Sequence, residues 1–268
     1  MFGLLKNRFH KKRAISSKMP VAIKTTTVPI KLNESKILFS FRKDSIGDKG
    51  VIAQIFQNQD YNLTHWEQGK KLLQYHHEQS KIRPSLIIDA GANIGASTVY
   101  FSHIFPNSFI FSIEPDTANW QLLEMNTAGL NGFNFNGAIA DTDGELVFED
   151  PGRSDWGFMT KRVGDSDNPK NIKKVKSISP ASILAHSESQ NTNPLVIKID
   201  IEGGEDALFN GDTSWLSQFP LVIIELHDWM LPFSGSSRNF IKSIAQYDFD
   251  FVHKGENIFL FNRQLLNT

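Results

Sequence analysis

Apolar positions in this chain change their spacing near residue 84. From Val51 to Gln79 they recur at helical intervals: Val51, Ile52, Ile55 and Phe56, then Trp66, Leu72, Leu73 and Tyr75. Arg83-Pro84 ends that stretch. Short, continuous apolar runs then alternate with helical segments. Leu86-Ile87-Ile88 predicts a strand, and a helix follows from about Ala96 to Phe105, stopped by Pro106-Asn107. A second strand runs Phe109 to Ile113. Asp116 or Thr117 caps a helix from Ala118 to about Ala128, closed by Gly129 and Gly132. A third strand covers Phe133 to Ala140, and Leu146-Val147-Phe148 reads as an added edge strand. Residues 151–171 are polar and punctuated by Gly and Pro, a length that marks a functional or mobile connection.

The second half repeats the alternation. Val175 to Ile178 is a weak strand, and Ser179-Pro180 starts a short helix to His186. Strands at Leu195 to Ile201 and Leu221 to Leu226 alternate with helices at Glu205 to Leu216 and Arg238 to Gln246. Phe249 to Val252 and Ile258 to Phe261 form a closing hairpin. This order predicts an α/β fold: a Rossmann-like, mostly parallel sheet with helices on both faces and an antiparallel C-terminal hairpin. The expected organisation is an arm over 1–45, a helical lead-in over 46–84 and the sheet domain over 85–268.

Composition narrows the classes. The chain has 268 residues and no cysteine, which excludes a disulfide scaffold, a thiol nucleophile and Cys-ligated metal. No window reaches about 18 consecutive apolar residues, so no membrane span is expected, and a cytoplasmic location is. A net charge of −1 gives no overall attraction for a polyanion, and no nucleic-acid partner is expected. The charge is uneven, however. No acid precedes Glu34, whereas Lys6, Arg8, Lys11, Lys12 and Arg13 crowd the start. A solvated arm and a weak peripheral anchor to anionic membrane both fit that pattern. Removing residues 1–30 is expected to leave the fold intact.

Ligands in such sheets bind beyond the carboxyl ends of the strands. Asp89-Ala-Gly91-Ala92-Asn93-Ile-Gly95 is a glycine-relaxed turn feeding a helix. It lacks Gly-x-Gly-x-x-Gly, and its acid disfavours a pyrophosphate while suiting a cationic or zwitterionic ligand. Glu114, ending the next strand, stands where a carboxylate takes the two hydroxyls of a ribose. Period 2 places Lys198 and Asp200 on one side of their strand, and Glu225 and His227 on one side of theirs. If those strands are neighbours, two acids, a lysine and an imidazole converge. A structural ion-pair network is the plainer alternative. His76-His77 lack metal-ligand spacing and read as solvated. Trp156, in the long loop, is a local anchor or a platform for a sugar ring.

Asp89-Ala-Gly-Ala-Asn-Ile-Gly95, Ile113-Glu-Pro115, Ala138-Ile-Ala-Asp141, Lys198-Ile-Asp-Ile-Glu-Gly203 and Ile224-Glu-Leu-His227 together resemble the FkbM family of S-adenosylmethionine-dependent methyltransferases. The resemblance spans about Asp48 to Asp228, its lead-in carried by Asp48 and Asp60-Tyr61. It implies a class I methyltransferase sheet and O-methylation of a hydroxyl, on a glycan, a glycolipid or a natural product. Asp89, Gly91, Ala92, Asn93 and Gly95 would hold the methionine end, Glu114 the ribose and Asp141 the adenine side. Asp200 would face the methionine ammonium or the acceptor. His227 is the expected general base, with Lys198, Asp200 and Glu225 in support. A divalent cation on Asp200, Glu225 and His227 is disfavoured because Lys198 lies near. No Asn-Pro-Pro-Tyr-type sequence is present, which argues against exocyclic amino methylation. The alternatives are a non-catalytic nucleotide-binding module and, more weakly, an NAD-type oxidoreductase.

Overall fold

The computed structural model describes residues 23–32, 35–149, 159–161, 172–230 and 232–267. It begins with an antiparallel hairpin, β1 (Thr25–Leu32) and β2 (Ser35–Arg42), paired along its whole length. These two strands depart from the weakly ordered arm expected there. Ile30, Leu32, Phe39 and Phe41 are buried in the main core, and Phe39 meets Phe56 edge-on at 5.4 Å. Removing residues 1–30 would therefore strip most of β1 from its partner. The basic cluster from Lys6 to Arg13 lies outside the described residues.

Helix α1 (Ile46–Ile52) runs into a π-helical turn at Ala53–Gln57, and α2 (Glu67–Gln79) follows. His76 of α2 is buried, contrary to the solvated reading. Its Nδ1 meets Ser85 Oγ at 2.9 Å, and its ring stands edge-on to Phe105. His77, next in sequence, is exposed.

Next come β3 (Ser85–Ala90), α3 (Ala96–Ile104), β4 (Ser108–Glu114), α4 (Thr117–Asn126) and β5 (Gly132–Asn136). The third predicted strand breaks after β5. Gly137 turns the chain where a Cβ would strike Phe135 at 2.3 Å and Lys176 O at 2.5 Å. Its continuation, β6 (Ala138–Ile139), joins a separate sheet with β7 (Gly144–Glu149), β8 (Met159–Lys161) and β9 (Ile172–Ile178), in the order β6-β9-β7-β8. The 146–148 run is therefore an inner strand of this second sheet and not an edge of the first. Trp156 lies outside the described residues.

The chain returns through α5 (Pro180–Ala185) to β10 (Asn193–Ile199), α6 (Glu205–Leu208), a 3-10 turn at Ser214–Gln218, and β11 (Leu221–Glu225). The single helix expected over 205–216 is thus two short pieces, separated where Asp212 turns back to accept from Ser214 N and Oγ. Finally α7 (Arg238–Ile244), β12 (Phe249–Lys254), β13 (Asn257–Asn262) and α8 (Arg263–Leu266) complete the fold.

The main sheet has seven strands in the order β12-β13-β11-β10-β3-β4-β5. Neighbouring pairs from β11 to β5 are parallel, and β13 is antiparallel to both of its neighbours. Every residue of β3 and β4 is buried, as a parallel strand covered on both faces requires. One face packs on the lead-in and α3, including Leu72 and Tyr100; the other packs on Ile183, Leu208 and Phe240. Strand order reverses between β3 and β10, which makes their carboxyl ends the place for a ligand. No helix among the described residues is long and apolar enough to cross a membrane.

Candidate active site

The turn after β3 is shaped by positive φ at Gly91 (77°), Asn93 (50°) and Gly95 (91°). Gly91 has no substitute: a Cβ there would lie 1.8 Å from the carbonyl oxygen of Asp200. Gly91 N and Ala92 N both donate to Ile113 O, tying the turn to the end of β4. There Glu114, 5 % exposed, accepts from Asn93 N and from Asp116 N at 2.9 Å each. Burial pushes its carboxyl up to about 7, against the pull of these amides. Asp116 caps α4 by accepting from Ala118 N and Asn119 N.

The N-terminal hairpin reaches this corner. Asn126 accepts from Ser40 N and donates to Ser40 O and to Ile94 O, joining β2 to the glycine turn. Arg42 is held by Asp48 and donates to Asn119 Oδ1 at 2.7 Å. Asp141 lies on the far side of β6, against Gly211, whose Cβ position is 3.1 Å from Asp141 Cβ.

On the other side of the switch point, Asp89 is fully buried. Ser97 and Thr98 hydroxyls each donate to its Oδ2 at 2.6 Å, and Lys198 Nζ stands 3.5 Å from Oδ1. The carboxylate lies beneath the turn. Lys198 also donates to Gly91 O at 2.7 Å and meets Asp200 Oδ2 at 3.3 Å. Burial alone would lower its pKa, but Asp200, Tyr61 and Asp89 raise it above the usual lysine value. Lys198 is a fixed cation, which removes it as a supporting base.

β10 and β11 are neighbours, so the convergence anticipated from period 2 exists in space. His227, 3 % exposed, bonds through Nδ1 to Glu205 Oε1, and Glu205 is itself fully buried. Its Nε2 faces Glu225 Oε1 at 3.4 Å and Asp200 Oδ1 at 3.8 Å. Burial favours the neutral ring, but Glu205, Glu225 and Asp200 override it and push the imidazole up to about 10. This corrects the expectation of a neutral base: a ring protonated at both nitrogens has no lone pair to offer. Burial and Asp200 raise Glu202 to about 7.

Three residues escape sequence reasoning. Glu205 sits in the first turn of α6, where an acid reads as helix-terminal charge. Glu202 precedes Gly203 with φ 41°, a strained position visible only in the structure. Tyr61 is buried from the lead-in, its ring 5.1 Å from Phe101, and burial raises its pKa with Lys198 as the leading counter-influence.

The cleft thus gathers Asp89, Asp200, Glu202, Glu205 and Glu225 around one lysine and one histidine. That surplus of acid suits a ligand bearing positive charge, as a sulfonium and an ammonium do. No curated protein matches the chain. Solved structures with a similar fold include precorrin-6y C5,15-methyltransferase from Geobacter metallireducens, at 9% identity, covering 70% of this chain and 84% of that one, TM-score 0.35. The 16S rRNA N2 G1207 methyltransferase of T. thermophilus, in complex with AdoMet and guanosine, is 11% identical, with 89% of this chain covering 50% of that one, TM-score 0.39. An S-adenosylmethionine-dependent O-methyltransferase from Thermotoga maritima is 11% identical, covering 88% and 77%, TM-score 0.33. Likenesses this distant say nothing of acceptor or partner. The Methyltransferase FkbM domain model, by contrast, matches residues 89–254, well over half of the chain, which therefore belongs to the FkbM family of S-adenosylmethionine-dependent methyltransferases.

Proposed function

We propose that the chain methylates a hydroxyl group, on a sugar of a glycan or glycolipid or on a natural product. The observation carrying this reading is the acid-rich cluster at the carboxyl ends of β10 and β11, beside the glycine turn. A hydroxyl is a poor nucleophile and gains from carboxylates that accept its proton, whereas a neutral amine has less need of them. S-adenosylmethionine supplies an electrophilic methyl on a sulfonium. The acceptor oxygen forms the new bond to carbon as the sulfur–carbon bond breaks, its electron pair passing to sulfur and the hydroxyl proton to the carboxylate cluster. Gly91, Ala92, Asn93 and Gly95 bring backbone close to the methionine end, with Asp89 and Lys198 fixing the turn beneath. Glu114 is assigned to the ribose hydroxyls and Asp141 to the adenine side. Asp200, Glu225 and His227 surround the acceptor oxygen. Positioning of this kind supplies much of the rate when the donor is already activated.

The test is turnover to S-adenosylhomocysteine with panels of saccharides and hydroxylated small molecules, beside calorimetry with S-adenosylmethionine and NADH. His227→Ala is expected to lower turnover by ~10²–10⁴-fold with cofactor affinity within a few-fold of wild type. Near-full turnover in that variant would remove His227 from the reaction. Binding without turnover on any hydroxyl acceptor would favour the non-catalytic alternative.

A further inference from the structure

The geometry points to a divalent-cation site formed by Asp200, Glu225 and His227. One ligand atom from each lies within 4.8 Å of the others. The separations from His227 Nε2, 3.4 Å to Glu225 Oε1 and 3.8 Å to Asp200 Oδ1, exceed the ~2.7–2.9 Å of a charge-assisted hydrogen bond. They suit donors that share one ion at roughly 2.0–2.2 Å each. On binding, the ion displaces the Nε2 proton that Glu225 and Asp200 otherwise hold, and the imidazole is already held as a metal ligand is held. Its Nδ1 is bonded to the fully buried Glu205, which orients the ring and leaves Nε2 aimed between the two carboxylates. Solvated acids that meet by chance have no such buried outer partner.

Lys198 does not compete for this position. It meets Asp200 through Oδ2 and is anchored on Gly91 O, leaving Oδ1 turned to the histidine. Two carboxylates and one imidazole make a hard-to-borderline set, suited to Mg²⁺, Mn²⁺ or Fe²⁺ rather than to a thiophilic ion. Three protein ligands leave positions for an exchangeable oxygen. On the methyl-transfer reading above, that oxygen is the acceptor hydroxyl, oriented and acidified by the ion.

Mn²⁺ is the probe. The purified 268-residue chain, stripped with EDTA and dialysed, is titrated with Mn²⁺ by electron paramagnetic resonance, and crystals grown with Mn²⁺ are examined for anomalous scattering. One bound ion between Asp200, Glu225 and His227 is expected. Glu225→Gln should weaken it at least 10-fold, and Glu205→Gln, which leaves all three ligands in place, by ~10–100-fold. No binding at millimolar Mn²⁺, or binding indifferent to these substitutions, overturns the site. S-adenosylmethionine calorimetry on the stripped protein separates the two claims. Cofactor binding and turnover without Mn²⁺ binding sink the metal site alone. Mn²⁺ binding without turnover sinks the methyl-transfer reading alone.

Discussion

Two acidic corners, one buried and one half-buried, flank the reversal in strand order, and they are satisfied by different means. At the end of β4, Glu114 is neutralised by backbone: Asn93 N and Asp116 N, each donated by a turn that the fold sets rigidly. At the ends of β10 and β11, Asp200 and Glu225 meet side chains, Lys198 and His227, at 3.3 Å or more. Backbone donors hold one shape and do not titrate. Side-chain partners can exchange a proton, a cation or a ligand. The first corner is built to receive the same group every time, and the second to change state during a reaction.

The comparison breaks most severely at Lys198. Lys198→Met should destabilise the protein by ~3–5 kcal/mol, because the fully buried Asp89 would lose the cation it shares with Asp200. Denaturant unfolding reads this, and a loss below ~1 kcal/mol would show that water replaces the ammonium. Glu114→Ala should weaken S-adenosylmethionine by ~1–3 kcal/mol through lost charge-assisted bonds, checked by calorimetry; unchanged affinity would take Glu114 out of the ribose site.

A third expectation uses pH. Folding raises the Glu114 carboxyl from 4.5 to about 7, so the folded state favours its neutral form. Its contribution to stability is complete below pH ~4.5 and is lost as pH rises through 7, on the order of 3 kcal/mol. Cofactor affinity should run the other way, falling as pH drops below 7 and the carboxylate is protonated. Glu114→Gln should flatten both slopes; slopes that persist belong to another group. The smallest effect concerns the clamp between the corners and the hairpin. Asn126→Ala should cost about 1 kcal/mol of stability, since Ser40 and Ile94 partly regain water. A larger loss, accompanied by weaker cofactor binding, would make the hairpin part of the site.

What was legible follows the range of the forces involved. Strand-end chemistry at 89–95, 114, 198–200 and 225–227 is local: turn glycines and polar residues interrupt apolar runs, and period 2 pairs them. The hairpin also leaves a trace, since Val28, Ile30 and Leu32, then Ile37, Phe39 and Phe41, alternate. The basic stretch before it hides that pattern. The break at Gly137 depends on where Phe135 and Lys176 come to lie, and no window around residue 137 contains Lys176. Glu205 and Tyr61 reach the site by packing alone. His76 escapes because a single polar residue on a helix carries no sign of which way it faces.

Strand β13 has a consequence for how the chain is made. It follows β11 and β12 in the chain, yet it sits between them and pairs with both. Until Asn262 has emerged, β11 stays an open edge, an apolar Leu221-Val-Ile-Ile-Glu225 ribbon with unpaired backbone groups. Folding of that half of the sheet therefore waits for β13, whereas β3 and β4 have each other as soon as Glu114 is out. A nonsense change after Lys254 would remove β13. Its product should aggregate, because the missing strand is the one that seals the edge.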